Sequence, residues 1–349
     1  MERDHGLLRI EDLSVTFPST GSGQAPSTRF ILSDAEGLRA GPVRDGKVTI
    51  LDQVSFEVGH NEITGLVGES GSGKTLTSLT VMGFLPPSAQ VIGGHVWFQG
   101  MDLLRLGEEM QRIRGQQIAM IFQSTRSALN PLMRVGDQVA RAYRIQRGLS
   151  PTEAYQRAVE ILGHMGIPRA ERRVRAYPHQ LSGGMCQRVL IAMMVACEPA
   201  LLIADEPTTG LDVTIQAQIF ELIKDVQKAT SASILLITHD LGVIAETCQR
   251  VVVMYAGQVM ETALVESLFA RPLHPYTQRL MQSVLRVDRA LEIPQVDMIP
   301  SDEATYGVVG CRFAPRCPLV LPHCWKERPL NIEWEPDHWA ACWRLEIGD

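Results

Sequence analysis

Residues Leu7 to Phe17 alternate between apolar and polar side chains, the period-two pattern of a strand with one buried face. Val54-Ser55-Phe56-Glu57-Val58 resumes that pattern after a gap. Between them, Pro18 to Asp45 is rich in Gly, Ser, Pro and Asp and offers few groups to bury, so a long surface insertion is expected there, with an ordinary long hairpin as the alternative. From Ile63 the chain reads as an apolar strand (Ile63 to Val67), a glycine loop (Gly68 to Thr75) and a helical run to Leu85 that stops at Pro86-Pro87.

Further on, Ala200 to Ala204 and Ser233 to Thr238 are short, nearly continuous apolar runs separated by a helical stretch, Thr214 to Ala229. Buried parallel strands joined by crossover helices read this way. From about Pro131 to Tyr177 the apolar positions Val135, Val139, Tyr143, Ala154, Ala158, Ile161 and Leu162 keep helical spacing, which predicts a helical subdomain inserted in the sheet. From about Pro272 prolines become frequent and four cysteines gather, so a separate C-terminal appendix is expected.

Composition narrows the class. Hydrophobic residues at 45% and charged residues at 21% are an ordinary globular mix, which argues against disorder and fibrous repeats. A net charge of -6 supplies no global basic field, so no nucleic-acid partner is expected. The longest apolar stretches, such as Val189 to Cys197, are interrupted by Glu198 and Pro199, well short of a membrane-spanning helix. The charged start, Met1-Glu2-Arg3-Asp4-His5, leads into a strand and not an apolar targeting segment, so a cytoplasmic location is expected.

Gly68-Glu69-Ser70-Gly71-Ser72-Gly73-Lys74-Thr75 fits G-x-x-x-x-G-K-[ST] between a strand and a helix, the context a P-loop requires. Backbone N–H groups close around the phosphates, Lys74 reaches the β- and γ-phosphates, and the Thr75 hydroxyl ligates Mg²⁺. Asp205, at the end of the apolar run from Leu201, is placed to complete the Mg²⁺ shell. The adjacent Glu206 is the natural general base for an attacking water.

Pro178-His179-Gln180-Leu181-Ser182-Gly183-Gly184-Met185-Cys186-Gln187-Arg188 resembles the signature motif of ABC ATPases. A Ser-Gly-Gly turn at a helix start is a second anion site, and since one chain already has a P-loop, a partner's nucleotide is its natural ligand. Two such domains are therefore expected to sandwich ATP head to tail, with Leu181, Ser182, Gly183, Gly184 and Gln187 facing the partner's ATP. The resemblance covers Leu7 to about Gly257. It implies that Gln123 is the Q-loop glutamine, which contacts Mg²⁺ and water, that Asp212 lies in a D-loop at the dimer seam, and that His239 is the switch histidine touching the γ-phosphate. It also makes Phe17 the aromatic that stacks on adenine.

Four segments are similar to the dipeptide, oligopeptide and nickel importer branch: the P-loop, Ser127-Ala128-Leu129-Asn130-Pro131, His274-Pro275-Tyr276-Thr277, and Gly310-Cys311-Arg312-Phe313-Ala314-Pro315-Arg316-Cys317-Pro318. The chain departs from that branch at Ser124-Thr125, where an Asp-Pro pair is usual, and in the length of its insertion. The expected fold is an α/β P-loop ATPase with a mostly parallel core sheet, an N-terminal antiparallel part and an inserted helical subdomain at about 131–190. Residues 1–271 would form the nucleotide-binding domain and 272–349 the extension.

Implied partners are a second ATPase subunit, identical or paralogous, two membrane permeases and an extracytoplasmic solute-binding protein, with the chain peripheral on the cytoplasmic face of the inner membrane. A peptide is the expected cargo, with nickel or another small solute as the alternative; a soluble non-transport ATPase and an exporter motor are the competing classes. Cys311, Cys317, Cys324 and Cys342 do not have the two short hooks of a zinc ribbon. Some members of the resembling family carry a four-iron four-sulfur cluster there, which makes a cluster the first expectation, zinc the second and unligated thiols the third.

Overall fold

The computed structural model describes residues 6–18, 47–123, 128–284, 303–306 and 308–347. The expected insertion, apart from Pro18, and the Ser124-Thr125 departure lie outside these residues. Among them the strands are β1 (Leu8–Pro18), β2 (Lys47–Val58), β3 (Ile63–Val67), β4 (Gln90–Phe98), β5 (Met101–Asp102), β6 (Ile118–Ile121), β7 (Leu201–Asp205), β8 (Ser233–Thr238), β9 (Arg250–Tyr255), β10 (Gln258–Leu264), β11 (Ile332–Glu335) and β12 (His338–Ala340). The helices that bear on function are α1 (Lys74–Val81), α2 (Val135–Arg147), α3 (Pro151–His164), α4 (Gly183–Val195), α5 (Val213–Thr230), α6 (Leu241–Thr247), α7 (Pro275–Val284) and α8 (Glu303–Tyr306).

The chain forms two compact units. The first contains residues 1–57, 64–105 and 238–349. Its antiparallel sheet runs β2-β1-β4-β5; β1 alternates buried and half-buried side chains from Leu8 to Glu11, whereas Leu13 to Phe17 are buried without interruption. Beside it, β3 pairs in parallel with β9, β9 pairs antiparallel with β10, and the C-terminal hairpin β11–β12 extends the order through β12. The cysteine-bearing segment, expected from its composition to stand apart, thus shares a compact unit with the P-loop strand. A deeply buried pair secures it: His338 Nε2 and Glu261 Oε1 are 2.7 Å apart, and both side chains are fully buried.

The second unit contains residues 58–63 and 106–237. Here β6, β7 and β8 are parallel neighbours, buried along their whole lengths, as continuous apolar runs require. The expected helical subdomain is present as α2, α3 and α4. Its boundaries have local causes: Ser150 and Glu153 form a reciprocal capping box behind Pro151, which starts α3, and Gly148 in a left-handed conformation ends α2. Helix α5 starts where Asp212 accepts a hydrogen bond from the Ile215 N–H at 3.0 Å.

Candidate ATP-binding and hydrolysis site

The P-loop closes as a turn in which the Ser72 N–H donates to the Glu69 carbonyl at 3.1 Å. Gly71 and Gly73 have φ of +79° and +98°, the left-handed region where a side chain would be strained. Gly73 is the N-cap of α1 and makes no side-chain cap, and the first turn of α1 carries no acidic residue. Side-chain oxygens cap α3, α4, α5 and α6. The start of α1 therefore keeps its positive potential for an anion, and the chemistry of the loop fits a nucleotide phosphate.

Lys74 is buried, and its Nζ donates to the carbonyls of Gly68 and Glu69, each at 2.9 Å, and to Ser72 Oγ at 3.2 Å. A lysine folded across its own loop is placed to exchange these neutral acceptors for phosphate oxygens, which bind a cation more strongly. His239, in the same unit, is exposed, and the following Asp240 caps α6. Phe17 is 6% exposed, so it presents little of its ring to an incoming base.

In the second unit β7 ends on Asp205, which is 2% exposed. A carboxylate held there is the hard oxygen donor that Mg²⁺ selects, so the residue fits that ion. Glu206 follows in a left-handed conformation with φ of +43°, unusual for a residue bearing a side chain. Its N–H donates to the Ile237 carbonyl at 2.9 Å. Its Oε2 accepts from Gln123 Nε2 at 3.1 Å and from Thr209 Oγ1 at 2.9 Å. Sequence reasoning placed Thr209 in the D-loop segment Thr209-Gly210-Leu211-Asp212 and not against Glu206; its spacing of three from Glu206 across a turn was the available signal.

Ser182 is the N-cap of α4, accepting from the Met185 N–H at 3.3 Å, and it is exposed. Gly183 is half-buried, while Leu181 and Gly184 are buried. A Cβ on Gly184 would lie 2.7 Å from the Ile215 side chain, which explains a glycine there. Gln187 has no exposed surface, so it faces the packed side of α4 and not a second subunit. Asp212 is exposed and spends one carboxylate oxygen on capping α5.

The expected metal cluster at the cysteines finds no support among the described residues. Burial pushes the Cys311 thiol up to about 12, a backbone hydrogen bond opposes this, and the other three thiols add to the rise, so the four influence one another. Cys317 and Cys342 are also raised, chiefly by burial. The Leu321 N–H donates to Cys324 Sγ at 3.4 Å. Among the described residues no three His, Cys, Asp or Glu side chains are arranged to hold a metal ion.

Two family profiles match the chain: one described as ABC transporter over residues 51–209, and one described as oligopeptide/dipeptide transporter, C-terminal region, over residues 260–324. The chain is 50% identical to a probable peptide ABC transporter ATP-binding protein of Sinorhizobium fredii, over 84% of this chain and 89% of that protein. It is 43% identical to the oligopeptide transport ATP-binding protein AppD of Bacillus subtilis, over 86% of this chain and 92% of that protein. Among solved structures, a dimeric post-hydrolysis state of an ATP-binding cassette with ADP and Pi superposes with a TM-score of 0.60 at 23% identity, covering 74% of this chain and 98% of that one, a likeness of fold.

Proposed function

This chain belongs to the family of ABC transporter ATP-binding proteins, and we propose that it is the ATP-hydrolysing subunit that energises peptide import across the cytoplasmic membrane. The observation that carries this reading is a P-loop with an uncapped helix start in a chain whose C-terminal region matches that of oligopeptide and dipeptide transporters. Among the described residues no helix is long and apolar enough to cross a membrane, so the translocation path belongs to partner permeases.

In this reading the nucleotide's phosphates lie against Gly68, Glu69, Ser70, Gly71, Ser72 and Gly73, with Lys74 moving from the loop carbonyls to the β- and γ-phosphates. Thr75, Asp205 and Gln123 are the residues that would hold Mg²⁺, which when bound neutralises charge on those phosphates. Glu206 accepts the proton of the attacking water. Its carboxylate is oriented beforehand by Gln123 and Thr209, and such orientation lowers the cost of reaching the reactive geometry. His239 contacts the γ-phosphate, whereas Phe17, only 6% exposed at the end of β1, has just a sliver of its ring to offer the adenine.

The exposed Ser182 with Gly183 and Gly184, backed by Leu181, addresses the nucleotide of a second ATPase subunit, and Asp212 lies at that seam. Closing and opening of the pair drives two permeases, and an extracytoplasmic solute-binding protein delivers the cargo. Residues 1–271 serve as the motor domain and 272–349 as an extension fastened to it. The four-iron four-sulfur reading of the cysteines is not carried forward, since no group of side chains able to hold a metal is found among the described residues.

The test is co-purification of the tagged chain from gently solubilised membranes, followed by an ATPase assay of the complex with candidate solutes. Two multi-span permeases and stimulation by di- or oligopeptides are expected. Stimulation by nickel complexes alone would reassign the cargo, and recovery of only soluble partners would overturn the transport reading.

A further inference from the structure

The C-terminal extension grips the P-loop from outside through three side chains. Arg316 is almost fully buried and forks onto the Glu69 carboxylate, with Nη1 to Oε2 at 2.8 Å and Nη2 to Oε1 at 3.3 Å. The Tyr276 hydroxyl accepts the Glu69 N–H at 3.0 Å. The Tyr306 hydroxyl donates to the Gly71 carbonyl at 2.5 Å. These three residues lie more than 200 positions away in sequence, and they hold the side chain and N–H of one loop residue and the carbonyl of another.

Each gripping group is itself fixed. Arg316 also donates to the Tyr255 hydroxyl at 3.1 Å and lies over that ring, 5.6 Å from its centre. Tyr276 packs between Tyr255 and Phe313, with ring centres 4.7 and 5.4 Å away. Beneath Tyr306 the Arg312 guanidinium lies 5.1 Å from the ring centre and is tied to the carbonyls of Ile50, Thr49 and Ala256. On the other side of the loop, the Gly257 N–H donates to the Ser72 carbonyl at 2.9 Å.

We propose that Arg316, Tyr276 and Tyr306 are positioning residues for the phosphate-binding loop, and that through them the C-terminal extension sets the chain's affinity for ATP. This rests on the reading of Gly68 to Thr75 as the ATP phosphate site. The physical reason is that a glycine-rich loop loses much backbone freedom when it closes on phosphate. A loop already held at Glu69 and Gly71 has lost that freedom before the ligand arrives, which strengthens binding without new ligand contacts. Because the three side chains hold the backbone and the Glu69 side chain of the loop, they act on binding and not on the chemical step.

The test titrates the full-length chain with a methylanthraniloyl-labelled ATP, comparing wild type, Tyr276→Phe, Tyr306→Phe, Arg316→Gln and Arg316→Lys. Each phenylalanine variant removes one oxygen, and Arg316→Lys keeps the charge but loses the fork. Dissociation constants should rise roughly threefold to tenfold for each tyrosine variant and on the order of tenfold or more for Arg316→Gln, with Arg316→Lys between it and wild type.

In the assembled transporter KM for ATP should rise while kcat stays within about twofold, the mark of lost binding and not of lost chemistry. Unchanged dissociation constants in the folded tyrosine variants, or a fall in kcat at constant KM, would overturn the proposal. Should Arg316→Gln fail to fold, the tyrosine variants decide the matter alone. A wild-type chain that binds the labelled ATP no better than Lys74→Ala would instead remove the nucleotide reading on which the proposal stands.

Discussion

Gln123 Nε2 donates to Glu206 Oε2 at 3.1 Å, so the proposed Q-loop glutamine already orients the proposed catalytic carboxylate. Since Thr209 holds the same oxygen, loss of Gln123 should loosen the base without releasing it. Gln123→Ala is expected to lower kcat of the assembled transporter on the order of tenfold and, since Gln123 would also help hold Mg²⁺, to weaken binding of Mg-ATP as well. Thr209→Val should give a similar, smaller loss; stopped-flow phosphate release measures both.

Gly257 combines a φ of +81° with a close approach, since a Cβ there would lie 1.7 Å from the Ile50 carbonyl oxygen. No rotamer relieves a clash with backbone. Gly257→Ala should therefore destabilise the chain on the order of 3 kcal/mol or prevent folding, and thermal unfolding of the purified variant tests it. Gly100, which also has positive φ but open space around its Cβ position, is the control, and its alanine variant should lose about 1 kcal/mol.

The pair Glu261 and His338 fastens the C-terminal hairpin to β10, and Glu261 also accepts the N–H groups of Leu273 and His274, each at 2.8 Å. Removing the imidazole leaves a carboxylate buried with part of its hydrogen bonding gone. His338→Leu is expected to cost about 3 kcal/mol, measured by urea unfolding, whereas the double variant with Glu261→Gln should cost less than the two single losses summed.

Burial lowers the His274 imidazole to about 4 from an ordinary 6.5, despite the opposing pull of Glu261. The folded state therefore stays neutral at pH values where the unfolded chain takes up a proton. Above about pH 6.5 neither state is charged and His274 carries no penalty. As pH falls toward 4 stability is lost, by up to roughly 3 kcal/mol once both pKa values are passed. His274 Nδ1 accepts the Tyr276 N–H at 3.0 Å, and an asparagine can make that contact without titrating. His274→Asn should consequently show a shallower fall of stability between pH 6.5 and 4 than the wild type.

The contrast between Lys74 and Arg316 explains how much could be read from the chain in advance. Lys74, Asp205 and Ser182 sit in contiguous motifs whose spacing carries their chemistry, and the elements around them follow local rules: capping by Ser182 and Asp212, buried apolar strands, left-handed glycines. The grip of Arg316 on Glu69 spans 247 positions, and no periodicity reports a contact between distant segments. His274-Pro275-Tyr276-Thr277 was visible as a pattern, but its work, capping α7 and reaching the P-loop, needed three dimensions. Gln187 illustrates the opposite failure: motif membership suggested a partner-facing residue, and helix phase turned it inward.

The most direct test of the account is ATP turnover by the assembled transporter carrying Glu206→Gln, measured with and without a saturating peptide and alongside ATP binding. Expected are peptide-stimulated hydrolysis in the wild type, a loss of at least about a hundredfold in the variant, and retained ATP binding. Normal peptide-stimulated turnover in a variant that still binds ATP would contradict the assignment of Glu206 and the hydrolytic mechanism built on it.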